Sequence, residues 1–154
     1  VSRPNVARGR PTARRTRPRQ ASPSGGGGDT SSSPVPGAVK KGRKKLDAGD
    51  ANGAAALAEA YVRAHPRSYH GWVLLAEASL KSRKLARAQS AAQKAKGLDK
   101  AGAAAHRVLG LVALKYRKRD EAKAHFKTYL QAAADEPAES KHVPFIKGLL
   151  GNLR

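Results

Sequence analysis

Between Tyr69 and Asp135 the chain repeats one apolar pattern at a fixed offset, and that register limits the fold more than any other feature. Trp72, Leu75, Ala76, Ala88, Ala92 and Ala95 are answered 34 residues later by His106, Leu109, Gly110, Ala122, Phe126 and Tyr129. Within the first set, Trp72, Leu75, Ala76, Ser79 and Leu80 stand at i, i+3, i+4, i+7 and i+8, one stripe of a helix. A break near Ser82–Lys84 leads into Leu85–Lys96, whose Ala88, Ala92 and Ala95 form the complementary face, with Gly97 read as its cap. Each unit is then a pair of antiparallel helices too small to bury its own apolar face, so neighbouring units must stack. Small residues on the second helix let the axes approach closely, and the ring of Trp72 is expected to fill the space between layers.

Subtracting the same offset finds a copy further forward. Ala54, Ala58 and Tyr61 fall in register within Ala51–Ala64, where Leu57, Ala58 and Tyr61 share a face and His65-Pro66 ends the helix. The helix before it opens near Ala38 and runs to about Ala48, with Gly49-Asp50 as the turn. It is the least regular, as a terminal unit exposed on one side can be: Ala38, Lys41 and Gly42 stand where Trp72, Leu75 and Ala76 stand in the next copy. Ala103–Tyr116 and Asp120–Ala133 make the third pair. Ala138–Leu150 then reads as a single final helix, with Phe145, Ile146, Leu149 and Leu150 over the last apolar face and Pro144 as a kink or the true start.

Three copies of this pattern give the chain a resemblance to the tetratricopeptide repeat family, over 38–137, divided 38–68, 69–102 and 103–137, with a capping helix in 138–154. It rests on Trp72, Leu75, Ala76, Ala88, Ala92 and Ala95, and on Leu109, Gly110, Ala122 and Phe126 in the third copy. Lys100 and Ala134 stand where the family usually has Pro. The fold implied is an all-α solenoid. The function implied is that of a binding scaffold, an adaptor whose first helices line a concave groove holding a partner peptide or helix. By register the inward positions are Val39, Arg43 and Asp47, then His70, Val73, Glu77 and Lys81, then Ala104, Arg107, Leu111 and Lys115. Four are basic and two acidic, so the expected partner segment is acidic, and reversing Arg107 and Lys115 should abolish its binding. Ordinary solvated charges would look the same. Some family members clamp a C-terminal carboxylate with Lys and Asn. The matching places here, Val39 with Arg43, Val73 with Glu77 and Arg107 with Leu111, contain no Asn.

Ahead of the repeats the chain changes character. Up to Val35 there is no Leu, Ile, Phe, Tyr or Trp, so 1–37 is expected to be a disordered tail, first Arg/Pro-rich and then Gly/Ser-rich. Of the net charge of +20, residues 1–45 carry +11, from 12 basic side chains and 1 acidic. Such a field favours polyanionic partners. Arg8-Gly9-Arg10-Pro11, echoed by Arg15-Thr16-Arg17-Pro18, resembles the core of the AT-hook, in which Gly admits the backbone to a narrow minor groove and two Arg extend along it. Ala7 and Thr12 depart from that motif, and generic phosphate binding or composition alone accounts for the same residues more readily. Lys40–Lys45 reads as a solvated helix face or a further polyanion contact, and Ser22 and Ser33 as possible phosphorylation sites in the tail.

Several chemistries find no support in the sequence. There is no Cys for a disulfide or thiolate, no run of about 18 apolar residues for membrane insertion, and no Ser/His/Asp arrangement or inward carboxylate pair for catalysis. Gly37-xxxx-Gly42-Arg43-Lys44 lacks the Lys-Ser/Thr of a phosphate-binding loop. His65, His70, His106, His125 and His142 have no carboxylate at ligand spacing, and His106 occupies the slot of Trp72, where packing explains it. No metal or cofactor is expected. The reading is a non-enzymatic, cytoplasmic adaptor with a basic tail. Two alternatives stand beside it: a DNA-associated protein using the tail, and, since the chain begins at Val1 without Met, the regulatory segment of a longer signalling protein.

Overall fold

The computed structural model describes residues 28–153. Among these, seven α-helices follow one another: α1 (Gly37–Asp47), α2 (Ala51–Ala64), α3 (Tyr69–Lys81), α4 (Leu85–Leu98), α5 (Ala103–Lys115), α6 (Arg119–Ala132) and α7 (Val143–Gly151), with a 3-10 turn (Pro137–His142) before the last. Each helix packs on the next. In addition α1 touches α3 and α3 touches α5, so the first helices of the three pairs form one layer and line one face. No described helix is long and apolar enough to cross a membrane.

The turn between the helices of each pair repeats the 34-residue period in its backbone. Gly49, Arg83 and Arg117 all have positive φ (88°, 60° and 60°), and the residue after each donates its N–H to a carbonyl five residues back: Asp50 to Lys45, Lys84 to Ser79 and Lys118 to Ala113, at 2.8–2.9 Å. This left-handed closure satisfies carbonyls that the helix end leaves unpaired, and Gly alone adopts it without steric cost. Two of the three sites nevertheless carry Arg.

The core consists of side chains at the repeat positions together with residues between them. Leu75, Ala88, Leu109, Ala122 and Phe126 are buried, joined by Tyr69, Leu74, Val108, Val112 and Tyr129. Gly110 is needed for close approach, since a Cβ there would run into the ring of Phe126. One repeat earlier the equivalent pair is Ala76 and Ala92, so the third repeat carries a ring on one helix and drops the methyl that would collide with it on the other.

Three expectations are corrected and one is qualified. Trp72 packs against two clusters of the core but is only half-buried: its Nε1 donates to the Pro66 carbonyl at 2.8 Å, and the Lys94 ammonium lies 4.4 Å from its ring centroid. It fastens the loop before α3 while Leu74 fills the interior. Gly97 lies inside α4, which ends only at Asp99 in extended backbone, because a single Gly weakens a helix without stopping it. Leu57 is 38% exposed, on the outer side of α2. The final helix begins at Val143, with Pro144 in its first turn, where a missing N–H costs nothing. Ile146 and Leu153 reach the core, while Phe145, about 100° around the helix from Ile146, is 59% exposed.

Residues 28–36 also differ from a loose tail. The Asp29 carboxylate accepts from Ser68 Oγ (2.6 Å) and His70 N–H (3.2 Å), Ser31 N–H donates to Asp99 (2.8 Å), and His70 Nε2 bonds the Ser33 carbonyl (2.8 Å). An acidic side chain at the N-terminus of α3 interacts favourably with the helix dipole. The segment thus straps the start of α3 despite having almost no apolar side chains to bury.

Candidate groove for an acidic segment

One register position sets the character of the inner face. Val39, Val73 and Arg107 are equivalent, and both valines are fully buried in the core. Arg107 is buried as well, at 7% exposure. A guanidinium held that far from water needs carboxylate partners. It has two: Nε donates to Glu139 Oε2 at 2.7 Å, and Nη2 pairs with Glu77. Glu139, 3% exposed, comes from the 3-10 turn, and Tyr129 Oη donates to its backbone carbonyl at 2.9 Å.

The charges hold one another ionised. Burial alone would push the Glu77 carboxyl up, but Arg107 and Arg43 outweigh it and keep it below the ordinary 4.5. Burial alone would likewise weaken the charge of Arg107, and Glu77 and Glu139 reverse that effect, so its proton is held more tightly than usual.

Around this cluster α1, α3, α5 and the 3-10 turn enclose a cavity of about 280 Å³. Arg43, Asp47, Glu77, Lys81, Arg107 and Leu111, all read from the sequence as inward positions, line it together with Leu46, Leu80, Glu139, Lys141 and His142. Arg43 is half-buried, and its Nε has no hydrogen-bond partner among the described residues. Among the described residues, Lys81 Nζ reaches only the carbonyl of Leu46, at 3.3 Å. Four cations and three carboxylates face the space, and the carboxylates Glu77 and Glu139 are both engaged by Arg107. The residual positive character therefore lies with Arg43, Lys81 and Lys141.

The remaining predicted groove residues are elsewhere. Val73 is core, because α5 covers the side of α3 that register alone would leave inward. His70 is buried under the Ser33 carbonyl. Lys115, in the last turn of α5, is exposed and does not line the cavity. Arg107 is not a free cation for a partner, since Glu77 and Glu139 already neutralise it. Arg8, Gly9, Arg10, Pro11, Arg15 and Arg17 lie outside the described residues.

Glu139, Lys141 and His142 escaped the sequence reading because they follow the last repeat and have no register. The available signal was Arg107 itself: a charge where the other copies have Val needs a carboxylate, and Glu139 is among the few acidic residues that follow.

A second polar contact lies between α5 and α6. His106 and His125 approach through their Nδ1 atoms at 3.2 Å, and His106 Nε2 reaches the Lys100 carbonyl at 3.1 Å. If Nε2–H donates to that carbonyl, His106 Nδ1 is the acceptor and His125 Nδ1–H the donor. Burial, then the nearby positive charge of Lys96, lowers the pKa of His106. For His125 the same burial acts first, followed by His106 and Lys96. Both rings pack as neutral imidazoles.

No family model matches the chain, and no curated protein sequence does. Solved structures do match in fold. The NMR structure of the first TPR domain of human RPAP3 superimposes with a TM-score of 0.62 at 21% identity, covering 75% of this chain and 91% of that one. The first TPR of Spaghetti (RPAP3), bound to the HSP90 peptide SRMEEVD, gives 0.61 at 21% identity, covering 74% and 93%. With three helix pairs in a 34-residue register and an inner layer of first helices, the described residues have the fold of a tetratricopeptide repeat domain.

Proposed function

We propose that the chain is a protein-interaction adaptor whose groove takes an acidic peptide segment, bound chiefly by Arg43, Lys81 and Lys141. The observation that carries this reading is the cavity among the first helices, lined by the half-buried Arg43 and by Lys81, whose ammonium bonds, among the described residues, only a backbone carbonyl. A carboxylate accepting from guanidinium and ammonium donors forms the stronger, charge-assisted class of hydrogen bond. The apolar stems of Leu46, Leu80 and Leu111 supply the surface against which a peptide's own side chains would pack. A structural neighbour of the same fold is bound to a peptide containing two adjacent glutamates, which supports the choice of ligand class.

Fluorescence anisotropy with a labelled SRMEEVD peptide and its Gln/Asn counterpart tests the reading in the full chain. The acidic peptide should bind more tightly, and Arg43→Glu/Lys81→Glu should weaken it by roughly tenfold or more, about 1.4 kcal/mol. All basic residues outside the groove are common to both proteins, so the difference isolates the groove. Equal affinity in wild type and variant would remove the proposal.

A further inference from the structure

We infer that Arg107 is a carboxylate-binding seat filled by the chain's own Glu139, so that the 137–142 turn is a displaceable occupant of the groove and an incoming acidic segment takes its place. The inference rests on the reading of the groove as an acidic-peptide site and adds to it the means by which access is controlled.

The register provides the first argument. Val39 and Val73 are covered by the next helix pair, but among the described residues the third pair is followed by the 3-10 turn and α7 instead, and at the equivalent position the chain places Arg107 rather than a third apolar residue. What covers Arg107 is the 3-10 turn, and the only buried residue of that turn is Glu139. Its attachment is therefore polar. The Glu139 carboxylate sits on Arg107, its carbonyl on Tyr129 Oη, and just upstream Glu136 accepts from Ala103 N–H at 2.7 Å. A segment fixed through a carboxylate rather than through apolar area can be exchanged for another carboxylate at little net cost in buried surface.

The second argument is the sharing of Arg107 between two acids. Glu77 stands on α3, within the array, and stays in place when the turn lifts. Release of Glu139 thus leaves Arg107 paired, and opening avoids the large cost of baring a buried charge. On the far side of the turn Ile146 is fully buried, so α7 keeps that end anchored and the turn can lift without detaching the chain.

The test uses the full chain and a fluorescein-labelled hexaglutamate peptide. Glu139→Gln removes the internal competitor's charge at nearly constant volume and should tighten peptide binding roughly tenfold. Asp47→Asn removes the same charge from the cavity wall without touching Arg107 and should change affinity only about twofold, as expected of an exposed, screened charge. In the wild type, saturating peptide should speed hydrogen exchange of the amides of 139–142, a readout that stands even if Glu139→Gln weakens the fold. Peptide binding with equal shifts from Glu139→Gln and Asp47→Asn, or with unchanged or slower exchange in the turn, would overturn the displacement while leaving the groove as an acidic-peptide site. Absence of binding to every protein would overturn both.

Discussion

The second and third repeats follow the same plan with different side chains, and the differences show what the register leaves free. At the packing contact within each pair, the second repeat sets Ala76 against Ala92 and the third sets Gly110 against Phe126. The larger ring in the third repeat is admitted by the missing Cβ of Gly110 opposite it. At the inner-face position the second repeat has Val73, sealed by the next helix, and the third has Arg107, sealed by two carboxylates. The first difference is hidden within one helix pair. The second lies beside the cavity, under the 3-10 turn, and it makes a packing position into an electrostatic one.

The sharpest way to break this comparison is at Arg107. Arg107→Ala leaves Glu77 and Glu139 buried without their cation and should cost about 3–5 kcal/mol, whereas Val73→Ala, at the equivalent place, should cost roughly 2 kcal/mol, both measured by urea denaturation. Similar losses at the two positions would mean that Arg107 acts through its stem alone. Next in size is Gly110→Ala, which overpacks against Phe126 and should cost about 1–3 kcal/mol. Adding Phe126→Ala recreates the Ala76/Ala92 arrangement, so the double variant should be less unstable than the sum of its parts; additivity would show that the two sites do not compensate.

Smaller effects come from the turns. Arg83→Gly and Arg117→Gly relieve a left-handed backbone at an entropic cost in the unfolded chain, and each should stabilise by about 0.5–1 kcal/mol, while Gly49→Ala should destabilise. The last prediction concerns pH. His106 and His125 have lowered pKa values in the fold, so as pH falls below the ordinary 6.5 the unfolded chain takes up protons first. Their contribution to stability is complete above that pH and lost below it. Thermal unfolding from pH 7.5 to 5 should show this decline, and His125→Asn should flatten it.

Most of the fold was legible because the helix pairs repeat, and repetition lets weak apolar signals from Ala and Leu reinforce one another. Ala51–Ala64 was read with its ends in place, helped by Asp50 before it and Pro66 after it. What escaped lies where no copy exists to compare. The strap at Asp29–Ser33 is held by carboxylate and carbonyl contacts to the start of α3, which no hydropathy pattern reveals. The 3-10 turn is short and polar, and Glu139 becomes interpretable only when Arg107 is found buried. About half of the cavity lining was visible by register, in Arg43, Asp47, Glu77, Lys81, Arg107 and Leu111. Register alone could not distinguish a residue that faces the groove from one that the next helix covers, and so Val73 and His70 were placed with the others.

The central claim, that Arg43 and Lys81 receive an acidic segment where Glu139 now sits beside them, is tested most directly by amide chemical-shift mapping of the full chain titrated with hexaglutamate peptide. The account predicts shifts concentrated in α1, α3 and α5 around Arg43, Lys81 and Arg107 and in the turn from Pro137 to His142, with a similar pattern in Asp47→Asn and none of it in Arg43→Glu/Lys81→Glu. Shifts confined to other surfaces, with the groove and the turn unmoved at saturation, would contradict it.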